Sequence, residues 1–224
     1  MAESQAILLD RVPYRDRDLI LTLLTKDFGV IHAIARGARG STRRFAAALD
    51  LFVVSTISWT QGKSSLVTLT QASVIKQFPG IFESLHRLEV GQMATVLVRD
   101  LTFEAPAGEA MFLHLLQTYT ALEIADDSDA LNHLLLLAVN LLDEIGHFGR
   151  NCPRCGAQLE PPGLLLLADG AVLCRSCSHF AVGVPADQLF TDDKSSFDPS
   201  HTANLIATLM SGTLGRPYQL RGLS

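Results

Sequence analysis

Long apolar runs are missing from this chain. The best candidate, Leu131–Leu142, is interrupted by Asn132, His133 and Asn140 and ended by Asp143-Glu144, so it is too short and too polar to span a bilayer. Met1–Asp10 has neither a basic start nor a small-residue cleavage site, which reads as no secretory leader and a cytosolic setting. Cysteine is sparse, with four residues all inside positions 152–177 and none elsewhere to build a disulfide framework. Aromatic residues are 7%, with one tryptophan and three tyrosines. In the first 80 residues the candidates for base stacking are Tyr14, Phe28, Phe45 and Trp59, and at least half of them should be core. A platform that works mainly by stacking is therefore disfavoured. Disorder is excluded along most of the length by 48% hydrophobic and 18% charged residues.

Catalytic constellations are missing too. Gly62-Lys63-Ser64 resembles the end of a phosphate-binding loop, but Ile57 stands where that motif needs glycine, and a hairpin turn is expected there. Asp143-Glu144 on a helix points two carboxylates to different sides. His114, His133 and His147 fall on helical segments without carboxylate partners, and His179 reads as a surface histidine. With no nucleophile-and-base arrangement and no open metal site, the sequence argues against an enzyme.

What is present begins with short strands. Ser4–Val12, Asp18–Thr25, Val30–Ala35, Leu51–Thr60 and Ser65–Val74 are rich in Val, Ile, Leu and Thr, and turn residues punctuate them. Five such strands predict a small closed barrel, an OB-fold by preference, with an SH3-like barrel as the alternative. From Pro79 onward the periodicity is helical, over Ile81–Phe103, Gly108–Ile124, Ala130–Ile145 and Pro199–Met210. The third of these is apolar almost all round and is expected at the centre of a bundle. The expected class is α+β, with an OB-fold barrel over 1–79 and a helical domain over 80–224 carrying a metal module at about 150–180.

The cysteines form two C-x2-C pairs, Cys152/Cys155 and Cys174/Cys177, separated by eighteen residues. That spacing matches a structural Zn2+ site, in which four thiolates leave no position open for water or substrate. Two disulfides or free thiols are the alternatives. Between the pairs, Leu164–Cys174 reads as a hairpin with Asp169-Gly170 as a two-residue turn, the layout of a zinc ribbon.

Net charge is −5, but it is unevenly spread. Residues 1–80 hold ten Lys/Arg against six Asp/Glu, a net of +4, and residues 81–224 hold eight against seventeen, a net of −9. The densest cationic stretch, Arg36–Arg44, has four arginines (Arg36, Arg39, Arg43, Arg44) and two glycines in nine residues. Guanidinium groups grip phosphates and glycines let a backbone come close, so this is either a phosphate-contacting loop or a solvated one. A second set is Arg11, Arg15 and Arg17, joined by Lys63 and Lys76 near other turns; Asp10, Asp16 and Asp18 sit among the first three, so this set reads as a neutralised surface.

These pieces together resemble the RecO family of bacterial recombination mediators. Tyr14–Thr25 with Phe28-Gly29 resembles its opening strands. Ala35–Arg39 followed by Arg44–Leu49 is similar to its basic loop, and Leu141–Gly146 leading to Cys152-Pro-Arg-Cys155-Gly156 to its helix-to-zinc junction. Leu214–Pro217 resembles its C-terminal signature. The resemblance implies an OB-fold, a helical domain and structural zinc. It also implies binding of single- and double-stranded DNA, annealing of complementary strands, and loading of RecA with RecR onto strands coated by single-stranded-DNA-binding protein, in the bacterial cytoplasm at the nucleoid. It carries DNA contact onto Arg36, Arg39, Arg43 and Arg44, with Lys63 in a neighbouring turn, and the acidity of the remainder confines that face to residues 1–80. A protein–protein adaptor and an RNA-associated zinc-ribbon protein are the other readings.

Overall fold

The computed structural model describes residues 1–40, 44–61, 66–102, 108–147, 149–190 and 198–219. Strands β1 (Ala2–Tyr14), β2 (Asp18–Thr25), β3 (Gly29–Ala35), β4 (Val53–Thr60) and β5 (Val67–Gln77) close into a barrel in the order β1-β2-β3-β5-β4. Every seam is antiparallel except β3–β5, where Ala33↔Val67 and Ile34↔Thr68 pair in parallel. This is the OB arrangement, and it decides against the SH3-like alternative.

Strand alternation explains the closure. Leu21 and Leu23, Ala33 and Ala35, Ile57 and Trp59, and Val67 and Leu69 are i, i+2 pairs that point inward and fill the interior. Phe45, Ala48 and Leu49, from the segment joining β3 to β4, join that core. Ile7 and Leu24 pair across β1 and β2 on the opposite face and are also fully buried. Helix α1 (Leu85–Leu101) packs on β1, and α2 (Glu109–Leu122) on β2. Being covered on both faces is why these strands read as near-continuous apolar runs.

Strand β1 outruns its partner on one side. It pairs with β4 only over Ala2–Ile7, whereas with β2 it pairs as far as Tyr14↔Asp18. The ladder slips at Leu9, a bulge that bends the strand. Beyond it, residues 11–17 are all exposed and form the tip of a two-stranded arm. Pro13 is tolerated there because its missing N–H faces an unpaired edge.

Phe52 ties the barrel to the two helices. It is buried in the left-handed region (φ 54°), with its ring edge-on to Tyr119 at 5.3 Å and to Phe82 at 5.4 Å. A non-glycine residue costs on the order of 1 kcal/mol there. Burying a phenylalanine contributes about 2–3 kcal/mol, so the contact outweighs the strain.

The chain divides into two compact units, Met1–Ile124 and Ala125–Ser224, so α1 and α2 share a unit with the barrel. The second unit contains α3 (Asp127–Glu144), a three-stranded sheet ordered β7-β6-β8 (β6 Leu165–Leu166, β7 Val172–Leu173, β8 Val184–Pro185), a single turn α4 (Arg175–Ser178) and α5 (Pro199–Leu214). Asp198 caps α5 by accepting a hydrogen bond from the His201 amide at 2.9 Å. Helix α3 buries a wide face, as its composition demands, and packs on α5 within this unit. Among the described residues, no helix is long and apolar enough to cross a membrane.

Candidate nucleic-acid interface and metal centre

The arginine loop follows β3 directly. Gly37 takes a left-handed conformation (φ 68°) and turns the chain away from the barrel. A side chain at this position would also press on the Arg44 guanidinium, 3.3 Å from where a Cβ would lie. A short 3-10 turn covers Ala38–Gly40, closed by the Gly40 amide donating to the Gly37 carbonyl at 3.2 Å. Arg44 returns across the loop and donates to the Arg36 carbonyl at 2.7 Å, and its own carbonyl accepts from the Ala72 amide of β5 at 3.0 Å. The neighbouring Phe45 is anchored in the core, with the Arg44 guanidinium 5.1 Å from its ring centre. Arg36, Arg39 and Arg44 are exposed. Ser41, Thr42, Arg43 and Lys63, all expected near this face, lie outside the described residues.

The β1–β2 arm is fastened to that loop by three hydrogen bonds. The Gly37 amide donates to Asp18 Oδ1 at 2.8 Å, the Arg39 amide to the Arg17 carbonyl at 3.1 Å, and Arg39 Nη1 to the Asp16 carbonyl at 3.3 Å. Arg15 and Arg17 thereby join Arg36 and Arg39 on one rim.

This corrects part of the sequence reading. Arg11 and Lys76 are neutralised as expected, by Asp50 and Glu123, but Arg15 and Arg17 are not. Two of the three acids meant to offset them are otherwise engaged. Asp10 pairs with Arg99 from α1, and Asp18 is occupied by the Gly37 amide. Lys26, Arg87 and Arg99 also carry ion pairs. Among the described residues, Arg15, Arg17, Arg36 and Arg39 have none. A cavity of about 320 Å³ opens beside them, lined by Arg11, Leu19, Arg39 and Phe45 among others. The four cations are held at one end of a rigid barrel, on a surface suited to a chain of phosphates.

Among the aromatic candidates, Phe45 and Trp59 are core, whereas Tyr14 and Phe28 are exposed, at 38% and 55%. Phe28 packs edge-on to Trp59 at 5.2 Å. It sits in the β2–β3 turn, at the end of β2 away from the arginine rim.

The second site is the cysteine cluster. The Asn151↔Gln158 bridge and Gly156 (φ 73°) fold the first knuckle, with the Cys152 amide donating to the Ala157 carbonyl at 2.7 Å and the Gly156 amide to the Cys152 carbonyl at 2.8 Å. Cys174 precedes α4, and its carbonyl accepts from the Cys177 and Ser178 amides, both at 3.0 Å. Asp187 Oδ1 takes the Gly163 and Leu164 amides at 2.7 and 2.8 Å, fixing the start of the hairpin between the knuckles. That hairpin does not have the two-residue turn its sequence suggests. Leu166 pairs with Val172, the Gly170 amide donates to the Leu167 carbonyl, and the Leu167 amide to the Ala171 carbonyl. The loop is therefore Ala168–Gly170, where Gly170 alone has positive φ (86°), a type I turn with a glycine bulge. Asp169 keeps ordinary backbone geometry, since the longer loop asks for only one left-handed residue.

All four Sγ atoms lie within 4.8 Å of one another, with Cys155 and Cys174 at 3.6 Å. A tetrahedron with 2.3 Å metal–sulfur bonds sets its sulfurs about 3.8 Å apart, so the cluster is of the right size to hold a metal ion. All four thiols are free of disulfides. Burial opposes ionisation of Cys152, but backbone hydrogen bonds from Cys174, Cys155 and Arg154 outweigh it and bring the thiol down to about 6. The hydrogen bond shared with Cys155, then burial and the nearby Cys174 and Cys152, push Cys177 up to about 12. Four clustered thiols cannot all ionise against each other, and a divalent cation removes that conflict.

The family model "Recombination protein O N terminal" matches residues 1–78, the barrel. A DNA repair protein RecO from Pelobacter propionicus is 35% identical over 178 residues, covering 78% of this chain and 71% of the relative. The RecO of Thermodesulfovibrio yellowstonii is 30% identical over 194 residues (83% and 76%), and that of Syntrophus aciditrophicus 32% over 180 (78% and 69%). Identity at this level runs well past the barrel into the second unit, and on that ground this chain belongs to the RecO family of DNA repair proteins.

Proposed function

We propose that this protein binds single- and double-stranded DNA through its barrel, residues 1–79, and anneals complementary strands without a chemical step. In the same reading it works with RecR to load RecA onto strands coated by single-stranded-DNA-binding protein, in the bacterial cytoplasm. The observation that carries the DNA reading is the group of four arginines without ion pairs on one rim, in a unit whose other described lysines and arginines outside that loop are paired. Annealing brings two polyanions together, and guanidinium groups bound to phosphates lower their repulsion. Arg15, Arg17, Arg36 and Arg39 are the four contacts of that rim, and Arg43, Arg44 and Lys63 are proposed to add to them. The cysteine cluster is read as a structural Zn2+ site whose four thiolates stabilise the second unit and take no part in the reaction.

The test is fluorescence anisotropy of a labelled single strand across a salt series, ending with addition of its complement. Four phosphate contacts on a single strand give a log–log salt slope of roughly −3, and pairing should accelerate. No binding at low salt, with binding to an acidic partner protein instead, would shift the assignment to an adaptor.

A further inference from the structure

The tip of the β1–β2 arm places an aromatic ring on the arginine rim. Tyr14 ends β1 and lies directly across from Asp18. Directly opposed residues share a face, with Cβ atoms about 5 Å apart. Asp18 in turn accepts the Gly37 amide, so this one residue stands between Tyr14 and the first bend of the arginine loop. Val12, two residues back on the same face, is 52% exposed and extends the apolar strip along the arm. The Arg15 guanidinium lies 5.1 Å from the Tyr14 ring centre, and Arg15 itself is in the left-handed region at φ 52°. A non-glycine residue in that conformation is uncommon and marks a tight turn that holds tyrosine and arginine together.

From this geometry we infer that Tyr14 stacks on an unpaired base while Arg15, Arg17, Arg36 and Arg39 hold the flanking phosphates, which makes the arm tip the element that favours single strands over duplex. Phosphate contacts alone do not distinguish the two, because both present the same backbone charge. A base becomes available to a ring only when unpaired. Paired bases present no free face, so the tyrosine contributes nothing on a duplex. The arm's release of annealed product follows from the same asymmetry: once bases pair, the stacking contact is gone and only the salt-sensitive contacts remain. The inference rests on the DNA reading above.

The experiment compares parent, Tyr14→Ala and Tyr14→Trp on three labelled DNAs of equal length: a single strand, a strand of abasic sites and a duplex. Tyr14→Ala should weaken single-strand binding about tenfold and leave abasic and duplex binding within twofold, and Tyr14→Trp should restore the single-strand affinity. Equal losses on all three DNAs, or no loss on the single strand, overturn the inference while leaving DNA binding standing. Failure of the parent to bind any of the three overturns both. The ring is exposed, so the melting temperature should not move, and circular dichroism checks that each variant folds.

Discussion

The Gly37 amide donates a 2.8 Å hydrogen bond to the Asp18 carboxylate, and this one contact joins the start of β2 to the loop that follows β3. It fixes the loop at its first bend, before Arg39 makes its own two bonds to the arm. A charge-assisted bond of this kind is worth about 1.5–3 kcal/mol when sheltered, and less at a half-buried position. Asp18→Ala should therefore speed amide hydrogen exchange at Gly37 and Arg39 severalfold, whereas Asp18→Asn, which keeps an acceptor oxygen, should change it little. Unchanged exchange in the alanine variant would show that the arm does not hold the loop.

Arg36 and Arg39 give the most direct test of the interface. Arg36→Ala with Arg39→Ala should weaken single-strand binding regardless of sequence and make the salt slope shallower by about 1.4, roughly 0.7 per lost contact. Both side chains are exposed, so the fold should survive. A parent-like slope would remove the loop from the interface.

Metal content tests the cysteine cluster. Purified protein should carry about one zinc per chain, and Cys155→Ser with Cys177→Ser should abolish it. Chelation should expose the second unit to protease while the barrel keeps its DNA affinity, because every cation of the arginine rim lies in residues 1–44. A metal-free protein with an unchanged protease pattern would return the four cysteines to ordinary thiols.

Gly91 tests how tightly Phe52 is held. A Cβ added there would lie 2.9 Å from Phe52 Cε1 and 3.3 Å from Ile81 Cγ2. Alanine is favoured over glycine in a helix by about 1 kcal/mol, but overpacking a filled core costs about 1–3 kcal/mol. The buried ring is enclosed by Tyr119 and Phe82 and has little room to yield, so the clash should win. Gly91→Ala should lower stability to urea by about 1 kcal/mol. A gain would mean that Phe52 can shift.

Much of the fold was legible because hydrophobic alternation is a local signal. All five barrel strands were placed within a few residues, β2 at its observed bounds Asp18–Thr25. The two C-x2-C pairs were legible for the same reason, since their spacing alone sets which thiols can meet. The arginine rim was only half legible. Arg36 and Arg39 stand out by density, but Arg15 and Arg17 sit beside aspartates in sequence. Asp10 reaches Arg99, eighty-nine positions away, and Asp18 turns to a backbone amide, so neither of these two offsets them. Nor could spacing show that Tyr14 lies across from Asp18, which depends on the bulge at Leu9 and the register beyond it.

One contact in the second unit bears on the order in which the chain takes shape. A Cβ on Gly212 of α5 would lie 2.5 Å from the Gly170 nitrogen, in the turn between the two knuckles, so helix and turn meet backbone to backbone. All four thiols have left the ribosome once Cys177 emerges, yet the surface that backs their hairpin arrives with Gly212, 35 residues later. During synthesis the barrel unit is complete first, and the cysteine module then waits, one side bare, for α5. A metal ion captured in that interval would hold the two knuckles together until the helix docks, acting as an assembly clamp as much as a permanent support.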